Sequence, residues 1–127
     1  MKKQIIRTSD APSSALFSQA IKVGATIYMS GIAAIDPKTN QIVGSTIQEQ
    51  TRQALANCAN ILRAGGATLE NVVDVHVLLA RPSDFAAFNE EYAKHFPTDP
   101  PTRAVAKLGV EVPNLLVSIK MTAALAD

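Results

Sequence analysis

The chain has 127 residues, of which 47% are hydrophobic and 18% charged, a composition that makes one folded domain (residues 1–127) and excludes a disordered chain. Twelve Lys+Arg against eleven Asp+Glu leave a net charge of +1, which provides no broad field for a nucleic-acid backbone. Twenty alanines, 5% aromatic residues and no Trp make the apolar side chains numerous but small, so further burial is expected from self-association. No apolar run approaches the length of a membrane span, and the opening MKKQIIRTSD lacks the apolar stretch of a signal peptide. A single cysteine, Cys58, excludes an intramolecular disulfide and fits a reducing, cytoplasmic setting.

In chain order, residues 2–7 read as an opening strand and 8–14, with Asp10 and Pro12, as a loop. Residues 17–23 and 26–34 flank Gly24-Ala25 and read as a hairpin. A polar turn at 36–40 precedes a short extended piece at 41–43. Residues 46–64 carry the helical period through Ile47, Thr51, Leu55, Cys58 and Leu62. Thr46-x-x-Glu49 is a capping box, and Gly65-Gly66 supplies the stop. A strand over 72–79 places Val73, Val75, Val77 and Leu79 on one face, with Val72, Asp74, His76 and Leu78 on the other. The second helix is predicted over 84–96, with Phe85, Phe88, Tyr92 and Phe96 as its apolar stripe and Glu90-Glu91 on a solvated face. After a loop rich in proline, two strands follow at 102–108 and 115–125. In the last one Leu115, Val117, Ile119, Met121 and Ala123 share a face, opposite Leu116, Ser118, Lys120 and Thr122.

Two helices with single apolar stripes cover one face of one sheet, so an α+β sandwich is expected. The uncovered face is expected to carry Asp74, His76, Arg103, Lys107, Ser118 and Lys120 beside Val105 and Leu116. That set is too mixed for a core and too apolar for plain solvent. A subunit interface with polar pockets accommodates both.

The stretch Pro100-Pro101-Thr102-Arg103 delivers an arginine on a stiff approach near the start of a strand. A guanidinium there can hold a carboxylate through two parallel hydrogen bonds, and an ordinary ion pair is the alternative reading. Asn89 borders the stripe of the second helix, where its amide must find either a loop backbone or a ligand. Ser30-Gly31 inside a strand marks either a close approach of another chain or ligand, or a bulge. Asp74 and His76 share a strand face, but no Ser in a nucleophile elbow accompanies them, so a structural role is favoured. Neither histidine has metal-ligand spacing, and no metal site is expected. Cys58 on a helix stripe reads as a small buried hydrophobe.

Taken together, several segments resemble the reactive-intermediate deaminase (RidA/YjgF) family over nearly the whole chain. The carriers are Phe17-Ser18-Gln19-Ala20, Tyr28-Met29-Ser30-Gly31, Asp36-Pro37-Lys38-Thr39, Gln50-Thr51-Arg52-Gln53-Ala54-Leu55-Ala56-Asn57, Asp84-Phe85-x-x-Phe88-Asn89-x-x-Tyr92 and Pro101-Thr102-Arg103-Ala104. The resemblance implies a chorismate-mutase-like α+β domain, a mixed sheet with two helices on one face, and a homotrimer whose sheets form a barrel with three clefts between subunits. It implies hydrolysis of imine or enamine acids to keto acids and ammonia without a cofactor. By the same resemblance Arg103 would clamp the substrate carboxylate, and Phe17, Ser30, Gly31, Asn89 and the Val105 backbone would line the cleft. The archetype has tyrosine where Phe17 stands, and its last strand reads Val-Glu-Ile-Glu where this chain has Val117-Ser118-Ile119-Lys120. Ser118 thus takes the place of a carboxylate thought to position the attacking water. A serine hydroxyl orients water but is a poor base near neutral pH. The alternative functions are a trimer that binds a small carboxylate without converting it, and an RNA-cleaving inhibitor of translation, which the balanced charge argues against.

Overall fold

A computed structural model describes residues 2–126; Met1 and Asp127, the outermost residues of the expected domain, lie outside the described residues. β1 (Lys3–Ile6) pairs with β2 (Ala20–Val23), which turns through Gly24 at φ 58° into β3 (Thr26–Met29). This hairpin is shorter than the sequence predicts. Before β2, the buried Gln19 amide donates to the carbonyls of Thr8, Ala11 and Pro12 and accepts from the Thr8 N–H, tying down the 8–19 loop. After β3, the strand breaks at Ser30-Gly31 and resumes as β4 (Ile32–Ala33). Both pieces pair with the last strand, β9 (Val117–Ala124), with Tyr28 opposite Thr122 and Ile32 opposite Ile119. Four steps on one side thus face three on the other, a one-residue bulge. β5 (Ile35–Asp36) and β6 (Gln41–Ile42) close a small separate hairpin across the predicted polar turn.

The first helix, α1 (Ile47–Ala64), begins and ends where its capping signals lie. Thr46 Oγ1 accepts from the Glu49 N–H at 3.2 Å, and the Glu49 carboxylate accepts from the Thr46 N–H at 3.1 Å. The whole predicted stripe is buried. Burial pushes the Cys58 thiol up to about 12, which fits its packing role. β7 (Val72–Leu79) runs antiparallel to β9 and parallel to β8 (Thr102–Lys107). The main sheet has seven strands, six of them in the order β1-β2-β3-β9-β7-β8, with β4 also on β9. α1 and α2 (Phe85–Ala93) pack into one buried cluster with a single face of that mixed sheet, the expected α+β arrangement.

Four expectations need correction. The β7–β9 register slips between Val72 and Asp74, so Val72 is buried and Val73 exposed, the reverse of a regular alternation. α2 stops at Ala93, and Phe85 at its start is 45% exposed, leaving Phe88, Tyr92 and Phe96 as the buried stripe. Glu91 is not solvated: it is buried between the helices, accepting from Arg52 at 3.0 Å and Lys94 at 3.4 Å, with the His95 ring at 2.9 Å. Finally, Arg103, Val105 and Lys107 do not share the uncovered face with Asp74, His76, Ser118 and Lys120. In the parallel β7–β8 pair they stand opposite Val75, Val77 and Leu79, which are buried beneath the helices. The pairing of Thr102 with Asp74 sets this phase, and no local pattern specifies it.

The Glu91 network links the two helices. The His95 hydrogen bond, followed by Arg52 and Lys94, outweighs burial and holds the Glu91 carboxyl at about 2, below its ordinary 4.5. Because the folded value is depressed, the contribution is complete above the ordinary value and is lost as pH falls towards 2. Glu91→Gln is expected to cost about 1.5–3 kcal/mol at neutral pH, by loss of hydrogen bonds to charged donors. In urea melts the gap between variant and wild type closes as pH drops through the acid range. A gap independent of pH would contradict this role.

Candidate functional site

Pro100 and Pro101 lead into β8, where Arg103 is the second residue. Its Nη1 donates to Asn89 Oδ1 at 2.8 Å, and its Cζ lies 5.0 Å from the Tyr92 ring centroid and 5.9 Å from those of Phe85 and Phe88. One face of α2 therefore offers an amide and three aromatic rings to one guanidinium. Asn89, half-buried, bonds this side chain and not a loop backbone. The bond to Asn89 is the guanidinium's one hydrogen bond among the described residues, and no carboxylate pairs with it there. Burial raises the Tyr92 phenol above its ordinary value, opposed by the Arg103 charge, so the ring beneath the arginine stays neutral. Val105 follows on the same side of β8, partly buried.

A second group gathers at the bulge between β3 and β4. Ser30 Oγ donates to the Ser18 carbonyl at 2.6 Å and its N–H to the Gln19 carbonyl at 3.0 Å. These bonds hold the turn carrying the exposed Phe17 beside the break in the strand. Gly31 approaches Ser118 so closely that a Cβ would stand 2.8 Å from Ser118 Oγ. The Lys120 ammonium donates to the Met29 carbonyl at 2.8 Å, on the same flank. Of the two readings of Ser30-Gly31 the bulge is present, and the close contact of Gly31 is with Ser118 of the same chain.

Within one chain these two groups do not meet. Arg103, Asn89 and Val105 belong to the helix side of the sheet edge, whereas Ser118 stands opposite Leu78 on the uncovered side, with Gly31 against it and Ser30 and Phe17 adjoining. Asp74 and His76 do pair, at 3.0 Å, and Thr102 Oγ1 donates to the other Asp74 oxygen at 2.6 Å. The Thr102 hydroxyl, then burial opposing it and His76 assisting, leaves the Asp74 carboxyl below its usual range. That hydroxyl bonds the carboxylate and not the imidazole, so the trio lacks the order of a nucleophilic relay. Among the described residues no group of three or more His, Cys, Asp or Glu is arranged to hold a metal ion, and no helix is long and apolar enough to cross a membrane. The role of Phe85, Phe88 and Tyr92 as a platform for Arg103 was hidden in the sequence. Their spacing with Asn89 at 85, 88, 89 and 92 marks one helix face, which reads equally as core.

Comparison with known proteins gives concordant results. The model of a family described as Endoribonuclease L-PSP matches residues 8–125. A RutC family protein of Saccharolobus solfataricus is 39% identical over 122 residues, covering 95% of this chain and 97% of that protein. A 2-iminobutanoate/2-iminopropanoate deaminase of Capra hircus is 42% identical over 103 residues, covering 80% of this chain and 75% of its own. The crystal structure of RidA from the Antarctic bacterium Psychrobacter sp. superposes with a TM-score of 0.90 at 32% identity, covering 96% of this chain and 99% of that one.

The contact between Gly31 and Ser118 has a measurable signature. Gly31→Ala is expected to cost about 0.5–1.5 kcal/mol by forcing Ser118 from its rotamer. In a Ser118→Ala background the same change becomes neutral or slightly stabilising, because the unfolded chain loses freedom and nothing collides. Equal costs in both backgrounds would contradict the contact.

Proposed function

The chain belongs to the Endoribonuclease L-PSP family, which takes in RutC proteins and reactive-intermediate (Rid) deaminases, and from that premise we propose a hydrolytic deaminase of small imine or enamine acids. The products are a keto acid and ammonia, with no cofactor, in the cytoplasm. The observation that carries this reading is Arg103: an exposed guanidinium, oriented by Asn89 and three rings, with no carboxylate paired to it among the described residues. Such preorganisation suits a small carboxylate.

Because Ser118 and Arg103 occupy opposite sides of the sheet, the proposed site forms between copies. Arg103, Asn89 and Val105 of one subunit meet Phe17, Ser30, Gly31 and Ser118 of the next. Two different patches meeting head to tail close into a ring, and a homotrimeric barrel is the ring proposed. Tyr28, Val73 and Leu78, apolar and exposed on the lone chain, favour burial of the uncovered sheet face.

In the proposed mechanism Arg103 grips the substrate carboxylate and Phe17 walls the cleft. Gly31, lacking a Cβ, lets the Ser118 hydroxyl pack against its backbone. Ser118 orients a water onto the imine carbon. The water oxygen bonds to that carbon as the C=N π pair moves onto nitrogen. Both water protons reach nitrogen in turn through solvent, the second leaving the hydroxyl as the carbonyl forms, the C–N bond breaks and ammonia departs. An enamine first takes a proton on carbon and releases one from nitrogen to become the imine.

A neutral residue at 118 also favours a second reading, a trimer that holds a small carboxylate unchanged. A ligand that stabilises the protein through Arg103 and is recovered intact, with no imine turnover, would select it. The ribonuclease in the family's description finds little support in a net charge of +1.

Imine decay, followed in a coupled assay, tests the first reading. Arg103→Ala should lower kcat/KM by about 10²-fold or more, the worth of a charge-assisted pair of hydrogen bonds. Ser118→Glu should raise kcat at least tenfold, towards the roughly 10²–10⁴ of a positioned base. Wild-type protein that leaves imine decay at its rate in buffer would refute the deaminase.

A further inference from the structure

Beside the Arg103 platform the sheet edge carries a separate, open surface hollow of about 290 Å³, lined by Leu79, Pro82, Phe85, Val105, Ala106 and Lys107. It lies between the start of α2 and β8 and is continuous with the candidate site through two residues. Phe85 is both a wall of the hollow and one of the rings beside Arg103. Val105 is both a wall and the next residue after Arg103 on the same side of the strand, about 7 Å along it.

Five of the six lining residues are apolar, and the sixth, Lys107, is exposed and can lay its stem along the rim with its ammonium in water. Filled by liquid water, such a volume corresponds to roughly ten molecules at about 30 Å³ each. A substrate side chain of one or two carbons leaves most of it empty. A branched four-carbon chain or a phenyl ring occupies a large part and removes the walls from water.

We infer that this hollow is a side-chain pocket selecting imino acids with large apolar side chains, such as those derived from branched-chain or aromatic amino acids, over short ones. The inference rests on the reading of Arg103 as carboxylate anchor, since only that anchor sets which way the side chain points. With the carboxylate on Arg103, a side chain turned along β8 passes Phe85 and Val105 and enters the pocket. A second acidic group on the substrate finds only the peripheral Lys107 and mostly apolar walls, so dicarboxylates are disfavoured.

Titration calorimetry of the full-length assembled protein with stable keto acids tests this without requiring turnover. The probes are pyruvate, 2-oxobutanoate, 4-methyl-2-oxopentanoate and 2-oxoglutarate. The Kd for 4-methyl-2-oxopentanoate is expected to be at least tenfold below that for pyruvate, the discrimination apolar pockets provide for added methylenes. In Phe85→Ala, which removes a half-exposed wall, that ratio falls at least threefold. Equal affinities, tighter binding of 2-oxoglutarate, no binding of any keto acid, or an undiminished ratio in Phe85→Ala would each overturn the pocket. Imine-decay assays on the same preparations separate the two readings. Selective binding without acceleration refutes the deaminase and leaves the pocket standing, whereas turnover indifferent to side-chain size refutes the pocket alone.

Discussion

The parallel pairing of β7 with β8 is the constraint from which the geometry of the proposed site follows. Thr102 stands opposite Asp74, which puts Arg103 opposite Val75 and turns its side chain under α2. A slip of one residue would reverse every side chain of β8. Arg103 would then join His76 and Lys120 on the uncovered face and lose Asn89 and the three rings. β9 obeys the same parity with the opposite result, because Ile119 takes the core position opposite Val77 and leaves Ser118 facing away from the helices. A site using both residues is thus barred within one chain and suited to two.

Both halves of the proposed site depend on α1. Its buried Asn57 donates to the carbonyls of Ala33 and Ile35, fixing the strands just after the Ser30-Gly31 bulge. Its buried Gln50 donates to Gly44 and Asn114 and accepts from the Leu116 N–H, which sets the entry to β9 and Ser118. Arg52 reaches Glu91 and so braces α2, the helix that carries Asn89 and the ring platform. Buried polar groups with every partner in place specify one arrangement, since each alternative leaves a donor or acceptor stranded. The small apolar side chains of this Ala-rich core contribute volume, and these amides contribute position.

Local chemistry was legible in the sequence and non-local pairing was not. The capping box at Thr46 and Glu49, the stripe of α1, and the alternation of Val117, Ile119, Met121 and Ala123 depend on neighbours a few residues away. The bulges after Tyr28 and Val72 and the phase of β8 depend on which strand lies alongside, and period-two patterns are blind to that choice. Glu91 reads as solvated because the cover that α1 and its Arg52 bring comes from another helix, although His95 and Lys94, its other partners, lie within four residues. Phe85 looked like core because helical spacing marks a face without saying where that face ends. The candidate residues are all readable from the sequence by type and position, but their division between two sides of the sheet follows only from the register.

The most direct measurement of an intersubunit site is complementation between two inactive variants. Arg103→Ala removes one half, and Gly31→Trp blocks the other at its tightest contact. Each alone is expected to leave imine decay near its rate in buffer. Unfolded together, mixed in equal amounts and refolded, they should regain about a quarter of wild-type turnover, since one interface in four then joins two intact halves of a head-to-tail ring. A mixture as inactive as its parents, from trimers shown to contain both chains, would contradict a site shared between copies.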